Sequence, residues 1–140
     1  MILCRVAGRG GVCDQTRMIP TLLVALGGAA GSVGRYWTGI LFAGALGLDF
    51  PLGTLVINVL GSFIIGLADI AAGGSAMRSL IIVGFCGGYT KFSSFSLQTL
   101  ELIRAGHPLA ASLNVALSVA LCLAATIAGA IAGHGLRTLL

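Results

Sequence analysis

Residues 84–96 read GFCGGYTKFSSFS, from Gly84 to Ser96, in the middle of an apolar stretch covering residues 79–103. Two adjacent glycines followed by Tyr89, Thr90, Lys91, Ser93, Ser94 and Ser96 are poor material for an unbroken lipid-facing helix. Glycine is a weak helix former, and serine and threonine hydroxyls compete for backbone hydrogen bonds. In hydrocarbon every freed N–H and C=O must find a partner, so a break is tolerated only where protein surrounds it. The stretch predicts a membrane helix that breaks inside protein, with its loosened carbonyls and amides available to ions.

The rest of the chain fits that reading. Of 140 residues 57% are hydrophobic and 9% charged, with 22 glycines, a composition foreign to soluble domains. A helix crossing about 30 Å of hydrocarbon takes about 20 residues. Four apolar stretches satisfy this, at residues 19–48, 52–72, 79–103 and 109–136. Short turns carrying helix breakers separate them: Asp49-Phe50-Pro51, Gly73-Gly74-Ser75 and Ala105-Gly106-His107-Pro108. The expectation is an all-α integral membrane protein of four transmembrane helices, the third broken, with successive spans as antiparallel neighbours. Glycines four apart, at Gly27 and Gly31, Gly84 and Gly88, and Gly129 and Gly133, suit close backbone approach where lipid offers no hydrophobic drive.

The segment before Met18 contains Arg5, Arg9 and Arg17 and no apolar run long enough for a signal-peptide core. Residues 1–17 are expected to be a disordered arm or the product of an upstream start, and residues 18–140 the membrane domain. Cys4, Cys13, Cys86 and Cys122 show no metal-ligand spacing and imply no disulfide framework. The formal charge of +4 comes without a basic run, which argues against nucleic acid.

Loop charge orients membrane proteins through Lys and Arg on the cytoplasmic side. Counted from Met18, Arg78 and Arg137 fall on one side and Arg104 on the other, a bias too weak to choose. A chain without strong orientation can insert both ways, and opposed copies can pair through a two-fold interface. Arg5, Arg9 and Arg17, if counted, favour the N-terminus inside.

Polar groups within a span are costly and mark candidate sites. Arg35, in GGAAGSVGRYW, has no acidic residue in its own helix; it either snorkels to an interface or attracts an anion to a vestibule. Asn58, in PLGTLVINVLGSF, has Ser62 one turn on; its amide is either interhelical glue or a pair of donors to a dehydrated anion. Phe92 and Phe95 share a face if the helix resumes after the break, serving as packing or as ring edges along an anion path. Asn114, Ser118, Cys122 and Thr126 recur every fourth residue, a polar stripe suited to a line of donors. No catalytic set is present: His107 lies in a turn and His134 near the C-terminus, with no carboxylate placed to orient either.

At these clusters the sequence resembles the fluoride-channel family (CrcB or Fluc) over residues 18–136. The matching pieces are GGAAGSVGRYW, PLGTLVINVLGSFIIG and GFCGGYTKFSSFS, in the family's order and spacing. The resemblance implies a dual-topology antiparallel dimer, homodimeric or paired with a related chain, in a bacterial-type inner membrane. It implies passive, selective export of fluoride from the cytoplasm through two pores. It further implies Arg35 as a vestibule arginine, Asn58 as a pore asparagine, and Phe92, Ser93 and Phe95 as pore lining. Asn114, Ser118 and Thr126 would form a polar track, and the backbone carbonyls of Gly87 and Thr90 would hold a structural sodium ion. Three positions depart from the family's usual form: Cys122 where serine is common, Gln98 where glutamate is frequent, and Lys91 where a second threonine is expected. Two other readings stand beside this one. A proton-coupled small multidrug transporter also has four spans, but Asp49, Asp69 and Glu101 all lie near span ends. An accessory membrane subunit would have no transport of its own.

Overall fold

A computed structural model describes residues 12–46 and 51–139, with side chains for 18–42 and 51–138. Residues 1–11 of the N-terminal arm and the Asp49-Phe50 part of the first turn lie outside the described residues. Every regular element within them is helical: α1 (Val12–Leu46), α2 (Leu52–Ala71), α3 (Ser75–Arg78), a π-helical stretch (Ser79–Cys86), α4 (Gly87–Tyr89), α5 (Phe92–Arg104) and α6 (Pro108–Leu139). Four helical segments are long and apolar enough to cross a membrane: Met18–Phe42, Leu52–Ala71, Ser75–Arg104 and Pro108–Thr138. The described residues are thus all-α, with four helical segments able to span a membrane. Helix α1 extends six residues before Met18, into the segment expected to be unstructured.

The turns follow from their sequences. After α5, Gly106 adopts φ +80°. The Gly106 N–H donates to the Ile103 carbonyl (3.1 Å) and the His107 N–H to that of Leu102 (2.9 Å). This is a Schellman closure, open to glycine because it has no Cβ, and Pro108 then starts α6 where its missing N–H costs nothing. Between α2 and α3, exposed Arg78 donates to the Asp69 carboxylate (2.6 Å) and to its backbone carbonyl (3.2 Å).

Packing departs from the expected order. Successive spans do run antiparallel, but the extensive contacts join alternate spans: α2 with α6, and α1 with the π-helical stretch and α4. These partners run parallel. A Cβ at Gly66 would collide with the Thr126 carbonyl, one at Gly129 with the Phe63 carbonyl, one at Gly27 with the Leu80 carbonyl and one at Gly31 with the Phe85 carbonyl. Backbone lies on backbone at each contact, so the glycines choose the partner. The period of four marks the smooth face of each helix but does not name the helix it will meet.

Few side chains are buried within one chain; the apolar ones are Leu55, Ile57, Ala68, Cys86, Tyr89 and Ala111. Large apolar side chains such as Leu22, Leu26, Leu41, Leu109 and Ile131 point outward, as expected where the surroundings are hydrocarbon.

Candidate functional site

The third span breaks at Thr90 and Lys91. Thr90 turns to ψ 155° and Lys91 to φ −128°, ψ 64°. Both the backbone N–H and the Oγ1 hydroxyl of Thr90 donate to the Cys86 carbonyl, each at 3.0 Å, closing the first half-helix. The Lys91 N–H, which a continuous helix would direct at the Gly87 carbonyl, donates instead to Asn58 Oδ1 at 2.7 Å. Regular bonding resumes with the Phe95 N–H on the Lys91 carbonyl at 3.1 Å. Among the described residues the Gly87 and Thr90 carbonyls therefore lack the donors that a continuous helix would bring from Lys91 and Ser94. The break is level with the middle of α2, where a side chain on Gly61 would strike Thr90.

That bond fixes Asn58. A backbone N–H needs an acceptor, so the amide oxygen faces Lys91 and the Nδ2 end turns away with two donors and no partner among the described residues. The other flank is held by Tyr89, which is buried, stacks on Phe85 (centroids 5.6 Å, planes 10° apart) and meets the Thr38 hydroxyl at 3.2 Å. Thr38 donates its own proton to the Gly34 carbonyl (2.8 Å), so Tyr89 is the donor in their pair.

Beyond the break, Phe92 is 76% exposed, Phe95 is half-buried, and their rings lie 5.5 Å apart at 45°. Ser93 is exposed. Two turns along α5, Thr99 donates to the Phe95 carbonyl (2.8 Å) and accepts from Asn114 Nδ2 (2.9 Å). Asn114 is 2% exposed and Ser118, one turn further along α6, 7% exposed. Ser118 Oγ and Gln98 Oε1 are buried without a hydrogen-bond partner. Farther along the stripe, Thr126 donates its proton to the Cys122 carbonyl (3.0 Å), which leaves Asn114 and Ser118 as the stripe's buried side-chain donors among the described residues.

The candidate residues fall into two sets that share α5: Asn58, Thr90 and Lys91 at its start, and Asn114 with Ser118 along its flank. Arg35 is half-buried on α1 and makes no ion pair among the described residues. Thr99, Tyr89 and Thr38 were missed in the sequence. A hydroxyl four residues after Phe95 is weak as a signal, and the Thr38–Tyr89 pair spans 51 positions.

Compared with known proteins, residues 22–130 match the family described as CrcB-like protein, Camphor Resistance (CrcB). The chain belongs to this family. The matched span takes in every candidate residue of this CrcB-like chain from Arg35 to Thr126. Curated relatives carry the name fluoride-specific ion channel FluC. The one from Rhodospirillum rubrum is 52% identical over 101 residues, covering 67% of this chain and 78% of the relative. That from Rhodopseudomonas palustris is 45% identical over 100 residues, 66% of this chain and 71% of the relative. That from Paramagnetospirillum magneticum is 49% identical over 105 residues, 70% of this chain and 82% of the relative. These named relatives are ion channels, not enzymes.

Proposed function

We propose that this CrcB-like chain is a passive fluoride channel of a bacterial inner membrane, working as an antiparallel dimer that exports fluoride. The observation that carries the reading is the Asn58 amide, whose oxygen is held by the Lys91 N–H so that only N–H groups face away from the break. A small, strongly hydrated anion crosses a dry barrier only if donors replace its water. Asn58 Nδ2, the edges of the Phe92 and Phe95 rings, and the Ser93 and Ser118 hydroxyls offer such replacement without a fixed cation at the constriction that would trap the ion. Asn114 joins this lining from α6, with Arg35 at its mouth and Thr126 at its far end.

The dimer is supported by what one chain leaves uncovered. Phe92 is exposed, and Gly87 has open space where a Cβ would sit. The Gly87 and Thr90 carbonyls, deprived of their helical donors, border that face, and unpaired backbone acceptors are untenable against lipid. Opposed copies meeting there would cover them. The donor set fits sodium, a hard cation that takes carbonyl oxygens; Gly87 and Thr90 would hold it, and it would supply a fixed positive charge between the copies. Whether the partner is an identical chain or a related one, the same face serves.

The test is fluoride efflux from liposomes containing only this chain. Flux well above that of empty liposomes is expected, with no dependence on a proton gradient. Background flux from correctly inserted protein would favour an accessory subunit. Flux of organic cations driven by protons would favour a multidrug transporter, a reading for which the carboxylates give little support: Asp69 and Glu101 are both exposed.

A further inference from the structure

Lys91 is the residue that neither the break nor the donor lining requires. Its backbone caps α5, and its side chain reaches α1, where Nζ lies 3.8 Å from the Cβ position of Gly39. It is half-buried there and makes no ion pair among the described residues. Arg35 stands four residues before Gly39, hence on the same face of α1 and about 6 Å lower along its axis. Arg35 is likewise half-buried and without an ion pair. Among the residues whose side chains are described the carboxylates are Asp69, engaged by Arg78, and Glu101, about 15 Å further along the third span from Lys91. Two cationic side chains therefore share one face of α1, with no ion-pair partner among the described side chains. They are still partly exposed, so their field reaches the solvent and is screened by salt, and their mutual repulsion is relieved by an anion between or beside them.

We propose that the Lys91 ammonium, seated against Gly39 one turn from Arg35, forms with that guanidinium a recruitment site for small anions beside the break. The proposal rests on the reading as a fluoride channel. The ammonium concentrates fluoride next to the Asn58 donors without entering their line, so its effect is on occupancy at low fluoride and not on the limiting rate. The seat depends on Gly39: a methyl group there would touch Nζ, and a larger side chain would take its place.

The test compares efflux at low and at saturating fluoride, each at low and high ionic strength set with a salt of an impermeant anion. For the wild-type chain, low-fluoride flux should fall several-fold as salt rises. In Lys91→Met it should already be lowered roughly three- to tenfold at low salt and respond little to ionic strength. Saturating flux should stay within about twofold. Lys91→Arg should restore both the flux and its salt dependence. Gly39→Leu, which keeps the lysine but fills its seat, should reproduce the Lys91→Met behaviour, and it carries the test if Lys91→Met fails to insert. A conducting wild type whose salt dependence survives in Lys91→Met or Gly39→Leu overturns the proposal while leaving the channel reading intact. A wild type that does not conduct fluoride overturns both. If Lys91→Met keeps normal flux but the purified protein loses bound anionic lipid, the anion is a lipid headgroup and the recruitment site falls.

Discussion

The contact of α2 with α6 and the contact of α1 with the third span use the same device, glycines that let one backbone rest on another. In the first pair both helices continue unbroken past the contact, through Gly66, Gly129 and Gly133. In the second, the third span passes Gly84 and Gly88 and then stops at Thr90. Close contact therefore does not break a helix. The difference lies just beyond the contact: Thr90 turns both its donors back on Cys86, and α2 supplies Asn58 to take the Lys91 N–H. One helix pair acts as a rigid wall, and the other holds a defect against that wall.

The largest expected effect comes from destroying the likeness. Leucine at Gly129 or at Gly31 would put a side chain where the facing backbone lies, and backbone cannot yield as a side-chain tip can. Ordinary overpacking costs about 1–3 kcal/mol; both variants should exceed that and fail to give folded protein in detergent by size-exclusion chromatography. Folded Gly31→Leu beside unfolded Gly129→Leu would show that the α1 contact is the looser of the two.

Asn58 separates wall from defect. In Asn58→Asp one carboxylate oxygen still accepts from Lys91, so the break is retained, but the outward donors become a negative charge. A like charge about 4 Å from the ion at an effective dielectric near 20 costs about 4 kcal/mol, enough to reduce flux about a thousandfold. Asn58→Leu should instead leave the Lys91 N–H buried and unpaired, lowering stability by about 1–3 kcal/mol. Near-normal flux in folded Asn58→Asp would take Asn58 off the anion path.

Much of this was legible in the sequence. GGYTK announced the break because two glycines and a run of hydroxyls cannot be read as a lipid-facing helix, and the glycines four apart announced smooth faces. Which faces would meet was not legible, because spacing within one helix carries no information about its partner; hence successive spans were expected together where alternate ones pack. Asn58 could be read as glue or as donor; its oxygen serves as glue, accepting from the Lys91 N–H, and that bond joins positions 33 apart. In the polar stripe, spacing weighed Asn114, Ser118 and Thr126 equally, whereas a threonine whose proton returns to the preceding turn is local capping.

A smaller effect is expected on the other flank. Tyr89→Phe removes the donor to Thr38 but keeps the stack on Phe85, and Thr38 remains bonded to Gly34. The loss should be about 0.5–1.5 kcal/mol in unfolding free energy, with flux close to wild type. A large loss of flux at unchanged stability would mean that the Tyr89 hydroxyl positions the break and does not merely anchor it.

The smallest effect within one chain, and the most informative between chains, is expected at Gly87. Unlike Gly88 one residue later, whose Cβ would press on Gly28, Gly87 has nothing within 4 Å of the Cβ position, and its φ of −62° suits any L-residue. If that face met only lipid, Gly87→Ala would be neutral or would stabilise the helix by up to about 1 kcal/mol, since alanine loses less backbone entropy. If a second copy lies against it, as the freed carbonyls of Gly87 and Thr90 suggest, the added methyl group sits in the interface and appears twice across a two-fold axis. The expected outcome is a chain whose monomer resists unfolding as well as wild type while the dimer population in lipid, followed by single-molecule photobleaching over a dilution series, shifts toward monomer. An unchanged dimer equilibrium would place the pairing face elsewhere on the bundle and leave the freed carbonyls in need of a different partner.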